Sequence, residues 1–284
     1  MPVTVVSDTC HYLPPEVLER YGVQLVSLYV HVEGETTRES EITDYDAYYD
    51  RLRDLRSLPS TSQPSIGDFL AVYEPLLDAG HEIVSIHLAG GMSGTVRSAE
   101  QARDQLGDRA GAVHVIDSET ACGGQGLIVM AAATAAQHGV DAAGVAAHAV
   151  EARTALKMWF AIDTLEYLRR GGRIAGAQAW LGSALKIKPI LTVKSEITPV
   201  ERVRTSRRAF EKMVELLASR RDDGADAYMV QHIQAPEQAA ALAARGREIF
   251  GHDPIVISEI GPVIGTHVGP GLLGAGAIPS SLLA

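Results

Sequence analysis

Glu82-Ile83-Val84-Ser85-Ile86-His87-Leu88-Ala89-Gly90-Gly91-Met92-Ser93-Gly94-Thr95-Val96 passes from a β-type run, through a glycine-rich loop, into a segment of helical periodicity over 96–106. Three glycines in the five residues 90–94 let the backbone turn sharply, and Ser93 or Thr95 can cap the helix that follows. Strand, tight loop and helix in this order form the repeating unit of an α/β fold. The same loop points unpaired N–H groups and the positive end of a helix dipole at one spot, which suits a phosphate or a carboxylate. A plain strand-to-helix turn that binds nothing is the competing reading.

Outward from this unit the pattern repeats. Strands are expected at 3–7, 23–32, 82–87 and 112–116, and helices at 14–21, 45–56, 66–79, 127–138 and 140–154. Alternation of this kind describes a parallel sheet flanked by helices. From residue 157 the order is less regular. A strand at 157–162 is followed by helices at 165–170 and 175–184, then a strand pair at 188–193 and 198–204 turning at Lys194-Ser195-Glu196. Helices at 206–220 and 236–249 alternate with strands at 227–233 and 254–260. Residues 261–271, with four glycines and two prolines around His267, read as a structured loop. At 284 residues the chain is expected to form two domains, 1–153 and 154–284.

Apolar content of 46% and charged content of 21% are those of an ordinary soluble globular protein. The most apolar segment, 127–136, is too short to span a bilayer. Met1-Pro2 runs directly into a strand without a basic region or cleavage site, so cytoplasmic residence is expected. Cys10 and Cys122 supply neither a disulfide framework nor a zinc spacing, and no His/Cys/Glu pattern marks a metal. A net charge of −10 argues against nucleic acid. That charge is uneven: residues 169–208 carry seven arginines and three lysines against two glutamates. Such a segment steers acidic partners or is simply a solvated face.

Two further stretches carry chemistry. In Ser57-Leu58-Pro59-Ser60-Thr61-Ser62-Gln63-Pro64-Ser65 two prolines stiffen a cluster of hydroxyls, and Ser65 caps the next helix. Gly91-Met92-Ser93-Gly94-Thr95 approaches a nucleophile elbow but has threonine where the last glycine belongs. A triad of Ser93, His267 and Asp8 or Asp117 is therefore one reading, a serine-dependent esterase or hydrolase. The other is a binding protein, with hydroxyls at 61–62 and 93–95 and the imidazole at 267 donating to a carboxylate. Charge-assisted bonds of that kind are worth roughly 1.5–3 kcal/mol each, and each buried methylene of an apolar tail adds about 0.8 kcal/mol.

Several motifs together resemble the bacterial DegV family, fatty-acid-binding proteins that act as acyl-carrying subunits of fatty acid kinase systems. They are Ser7-Asp8-Thr9, the 59–65 loop, Met92-Ser93-Gly94-Thr95 with Ser98-Ala99, and Val115-Ile116-Asp117-Ser118 with Gly124-Gln125-Gly126. Thr164-Leu165-Glu166-Tyr167-Leu168-Arg169-Arg170-Gly171-Gly172-Arg173-Ile174, Lys186-Ile187-Lys188-Pro189-Ile190-Leu191 and Gly265-Thr266-His267-Val268-Gly269-Pro270-Gly271 complete the set. The resemblance implies two α/β domains, the second with a largely antiparallel sheet, and between them a long-chain fatty acid such as palmitate, stearate or oleate, its carboxylate held by Thr61, Ser93, Gly94 and His267. It implies no cofactor and no catalysis by this chain: a separate kinase subunit would form the acyl-phosphate. Extending it, Arg169, Arg170, Arg173 and Arg202 are candidates for the kinase-docking face. The chain departs from the family in the order Ser7-Asp8-Thr9 where Thr-Asp-Ser is usual, and in Met92 and Cys122, where leucine and serine are commoner.

Overall fold

The structure, a computed structural model, describes residues 1–55, 59–180 and 187–284. In chain order the strands of the first half are β1 (Val3–Asp8), β2 (Gln24–Val26), β3 (Tyr29–Val32), β4 (Glu35–Arg38), β5 (Ser60–Ser62), β6 (Glu82–His87) and β7 (Val113–Asp117). Those of the second half are β8 (Lys157–Ala161), β9 (Lys188–Lys194), β10 (Glu196–Val203), β11 (Ala227–His232), β12 (Ile257–Glu259) and β13 (Leu273–Ile278). Helices α1 (Pro15–Tyr21), α2 (Tyr45–Asp54), α3 (Ile66–Asp78), α4 (Thr95–Gln105), α5 (Cys122–Gln137) and α6 (Ala142–Ala155) alternate with the first set. The second set is joined by α7 (Glu166–Arg170), α8 (Ser206–Asp222), α9 (Pro236–Phe250) and α10 (Pro262–Val268).

The fold is α/β. One sheet, in the order β2-β1-β6-β7, is parallel throughout. Helices α3 and α4 cover one face through Phe69, Tyr73, Ala99 and Ala102, and α5 and α6 cover the other. A second sheet, in the order β10-β9-β8-β13-β11-β12, is antiparallel except where β11 meets β12. Its outer face carries α8 and α9 through Met213, Leu217, Leu242 and Phe250. Helix α5 lies between the two sheets, and fourteen of its sixteen residues are buried.

Several local outcomes differ from the sequence expectation. The strand expected over 23–32 splits: β2 pairs with β1, while β3 leaves to form a small antiparallel sheet, β4-β3-β5. The break falls at Ser27, whose hydroxyl donates to the Leu28 carbonyl at 2.9 Å and accepts from the Ser40 N–H at 3.1 Å. Helix α5 begins at Cys122 rather than 127, so Gly123, Gly124 and Gly126 lie inside its first turns. There a side chain would run into Met229, Met158 and Leu13 respectively, so close packing demands glycine. The 261–271 segment contains a helix, α10, with Pro262 at its first position, where a missing N–H costs nothing. Finally β13, which the sequence did not announce, pairs on both sides, with β8 and β11. At α4 the N-cap is Gly94, and the Ser93 hydroxyl accepts from the Thr95 N–H at 3.3 Å. The helix expected over 175–184 opens as a 3-10 turn, Ala175–Trp180, and its remainder lies outside the described residues, as do positions 56–58 and 186.

Helix α2 clamps α10. The Tyr49 hydroxyl donates to the Ile260 and Gly261 carbonyls at 2.6 and 3.0 Å, and the Tyr48 hydroxyl lies 2.5 Å from Thr266 Oγ1. A Cβ on Gly265 would penetrate the buried Tyr49 ring. Glycine-to-alanine in a helix ordinarily gains about 1 kcal/mol. Here Gly265→Ala is expected to lose stability instead, by roughly 1–3 kcal/mol from overpacking, read as a lower urea midpoint at unchanged slope.

Candidate functional site

Four separated segments meet around one cavity. Thr61 sits on β5, placed by the pairing of β5 with β3, in which Thr61 faces Val30. The capping box that Ser65 and Asp68 form at the start of α3 fixes the end of that segment. Asp68 also accepts from the Tyr29 hydroxyl at 2.9 Å and from Arg38 at 3.0 Å, which fastens the small sheet to α3.

Ser93 lies on the glycine loop between β6 and α4. The Ala89 N–H donates to the Thr120 carbonyl at 2.7 Å, and the Gly90 N–H donates to the Asp117 carboxylate at 3.1 Å. A side chain on Gly91 would meet the Ser195 carbonyl at 2.6 Å, so the β9–β10 hairpin buttresses the loop from behind. A side chain on Gly94 would meet the Gln63 amide at 2.9 Å. Glycine at 94 thus lets the 61–63 and 91–95 segments touch.

His267 projects from the last turn of α10. Its Nε2 lies 2.7 Å from Thr61 Oγ1, and its Nδ1 is buried with no hydrogen-bond partner among the described residues. Gly171 packs directly against Nδ1. Burial, helped by the nearby Arg173 guanidinium, lowers the imidazole from its usual range to about 4.

The cavity these groups border has about 870 Å³ of empty space, part of it open to solvent. Its polar lining comprises Thr61, Ser62, Gln63, Ser93, Arg173, Gln231 and His267. The rest is apolar and includes Met92 of the glycine loop, Met158 and Phe160 of β8, Met229 of β11, and Ala121 and Cys122 around the start of α5. Small residues of β13, Gly274 and Ala275, complete the wall. The long apolar lining was not visible in sequence, because no periodicity marks which core residues border empty space.

Arg173, placed by sequence among the docking arginines, borders the cavity, donating to the Gly171 carbonyl at 2.8 Å and the Met92 carbonyl at 3.4 Å. The site therefore contains a fixed positive charge beside the hydroxyls and imidazole. The signal for it is Gly171-Gly172, which ends α7 and reverses the chain just before Arg173. Arg169 and Arg170 end α7 exposed, Arg169 being paired with Glu166, and Arg202 is exposed on the edge strand β10.

The groups a serine hydrolase needs are not assembled here. Ser93 Oγ bonds Thr95 Oγ1 at 2.9 Å, while His267 Nε2 bonds Thr61. Asp8 is committed elsewhere: it accepts from His87 Nδ1 at 3.1 Å, from the Cys10 and Leu88 N–H groups at 2.9 Å, and from Gln125 at 3.1 Å. Burial would raise the Asp8 carboxyl, but the His87, Gln125 and Leu88 bonds together hold it below the usual range. His87 continues through Ser85 to Tyr73, at 2.7 Å for each step. This Ser85-His87-Asp8 chain has the order of a triad, yet all three residues are fully buried, so it is core structure. Asp117 holds the Gly90 and Glu119 N–H groups. Among the described residues no cluster of three or more His, Cys, Asp or Glu could hold a metal, and no helix is long and apolar enough to cross a membrane.

Comparison with known proteins adds to this geometry. A family model described as an uncharacterised protein of the DegV family matches residues 2–280. Protein DegV of Bacillus subtilis is 35% identical over 277 residues, covering 96% of this chain and 98% of the relative. The crystal structure of DegV from Bacillus subtilis, named there a fatty acid binding protein, is 34% identical with a TM-score of 0.88, covering 98% of this chain and 99% of the other. A DegV family protein from Thermus thermophilus, described by its fatty acid binding, is 32% identical with the same TM-score, covering 98% and 100%.

The depressed His267 group sets a pH dependence. The folded chain holds the His267 proton more weakly than the unfolded chain, so its contribution to stability is complete above about pH 6.5 and is lost as pH falls toward 4. By NMR the ring is expected to titrate with a midpoint near 4, and Arg173→Met should move that midpoint upward. An unmoved midpoint would place Arg173 outside the field of the ring.

Proposed function

Because the chain belongs to the DegV family, we propose that it binds a long-chain fatty acid, with the carboxylate at Thr61, Ser93 and His267 and the tail in the apolar cavity. The observation that carries this reading is the bonded Thr61–His267 pair bordering a mostly apolar cavity, with Arg173 close by. The Thr61 and Ser93 hydroxyls donate to the carboxylate, and a neutral imidazole with its proton on Nε2 donates to Thr61 Oγ1, which turns the Thr61 hydroxyl proton toward the head group. Arg173 balances the negative charge, and glycine at 94 leaves room for the head group. About a dozen buried methylenes contribute roughly 10 kcal/mol gross, more than any single head-group bond at roughly 1.5–3 kcal/mol. The tail therefore supplies most of the affinity, and the polar groups fix which end faces out.

The fatty-acid-binding relatives support this reading. In this proposal the chain performs no chemistry. It presents the carboxylate, in the cytoplasm, to a separate kinase that forms the acyl-phosphate, and exposed Arg169, Arg170 and Arg202 dock that kinase.

Purification from cells, denaturation and mass spectrometry of the extract should release fatty acid in about one-to-one ratio with protein. Ser93→Ala or Thr61→Val should weaken retention about ten- to hundred-fold. An empty protein, together with ester hydrolysis abolished by Ser93→Ala, would establish a hydrolase instead. Charge reversal at Arg169, Arg170 and Arg202 should weaken kinase association and leave the bound acid in place. Association unchanged by the reversal would remove the docking assignment.

A further inference from the structure

Helix α10 carries His267 on two turns, and its start is held by a carboxylate from a distant part of the chain. Pro262, at the first position, has no N–H, so the free donors of the first turn are those of Val263 and Ile264. The Val263 N–H donates to Glu39 Oε1 at 2.7 Å. The Ile264 N–H donates to the Tyr12 hydroxyl at 3.2 Å, and that hydroxyl donates to the same Glu39 oxygen at 2.8 Å. Glu39 Oε2 accepts from the Thr9 hydroxyl. Gly261, at the N-cap, offers no side chain, and a Cβ there would meet Tyr12 and the Tyr45 hydroxyl at 2.7 Å. The cap of this helix is thus supplied from more than two hundred residues away.

Glu39 lies in the turn after β4 and is 2% exposed. Its surroundings are the positive end of α10, the donors just named, the carboxyl of Asp8, the thiols of Cys10 and Cys122, and the tyrosines of α2. Burial pushes its carboxyl up to about 7. An acidic side chain so placed is costly for packing alone, and its geometry matches a different task.

We propose that Glu39 is a positioning residue for the head-group site: by capping α10 across the fold, it sets where His267 stands relative to Thr61. His267 follows Val263 by four residues, one turn farther on the same face of the helix, so a displaced first turn is passed directly to the imidazole. The meaning of the site rests on the fatty-acid reading above, but the first readout needs no ligand.

Full-length Glu39→Gln, Glu39→Ala and Gly261→Ala are compared with the parent by NMR titration of the His267 ring and by oleate affinity, at temperatures where each is folded. Glutamine keeps an oxygen for Val263 and Tyr12 and turns its amide toward Thr9, whose hydroxyl can rotate to accept. The parent and Glu39→Gln should keep a neutral ring from pH 5 to 8. Glu39→Ala and Gly261→Ala should bring the titration into that range and lower oleate affinity at least ten-fold. Gly261→Ala, which leaves Glu39 intact, decides the matter if Glu39→Ala does not fold. A parent-like His267 titration in the displaced variants, whatever their melting temperatures, overturns the proposal. Should the parent retain no oleate, the fatty-acid reading fails, while the ring titration still decides the role of Glu39.

Discussion

Helix α5 has no face left for water, and both sheets are built around that fact. A helix packed between two sheets must let each approach closely, so its sequence is glycine and alanine where other helices carry larger residues. Met229 and Met158 of the second sheet fill the space that side chains at 123 and 124 would take, and Leu13 does the same at 126. The one polar residue in its first turn with a side-chain task, Gln125, reaches the Ser7 hydroxyl and the Asp8 carboxylate at 3.1 Å. Asp8 in turn gathers the start of the loop after β1 and the end of β6. Helix, first strand and neighbouring strand are therefore fixed by one buried carboxylate. Added volume at 123, 124 or 126 would have to displace the Met229, Met158 or Leu13 side chain, because interiors are close-packed.

The cavity is a consequence of where that packing stops. Ala121 and Cys122 border it, whereas Leu127, Ile128 and Ala131 farther along the helix belong to continuous core. At the first turn of α5 the sheets are no longer filled by helix, and the space passes to α10, the 61–63 segment and the glycine loop. Each of these is anchored from outside the cavity. The loop leans on the β9–β10 hairpin, and the 61–63 segment is tied to α3 through Asp68. Helix α10 is gripped by the tyrosines of α2. The polar groups thus stand on rigid supports while the apolar walls include three flexible methionines, Met92, Met158 and Met229.

Most of the parallel sheet was legible because β1, β6 and β7 are short runs rich in valine and isoleucine followed by turn residues. Less was legible where local pattern and tertiary demand part company. β13 reads Leu-Gly-Ala-Gly-Ala-Ile, with little β propensity, yet a larger residue at 276 would press on Met158. α10 hides in a glycine-proline segment whose prolines and glycines bracket a helix rather than forbid one. Among the site residues, Thr61, Ser93 and His267 announce themselves as polar groups in stiffened segments. Arg173 is marked only by the Gly171-Gly172 break before it, and a charge count cannot tell which way its side chain turns after Gly172. Glu39 stands in Arg38-Glu39-Ser40-Glu41, a run that looks solvated throughout, and only the fold reveals that its second residue points inward.

The position of β13 has a consequence for how the protein comes into being. Chains are made from the amino end, and β8, β9 and β11 all emerge before β13 does. Until then β8 and β11 have no strand to join them, the second sheet is two fragments with open edges, and the floor formed by Gly274 and Ala275 is missing. Nothing can be lodged in a cavity that lacks its floor. A chain that stops short of β13 therefore lacks part of the cavity wall and the strand that joins the two halves of the second sheet.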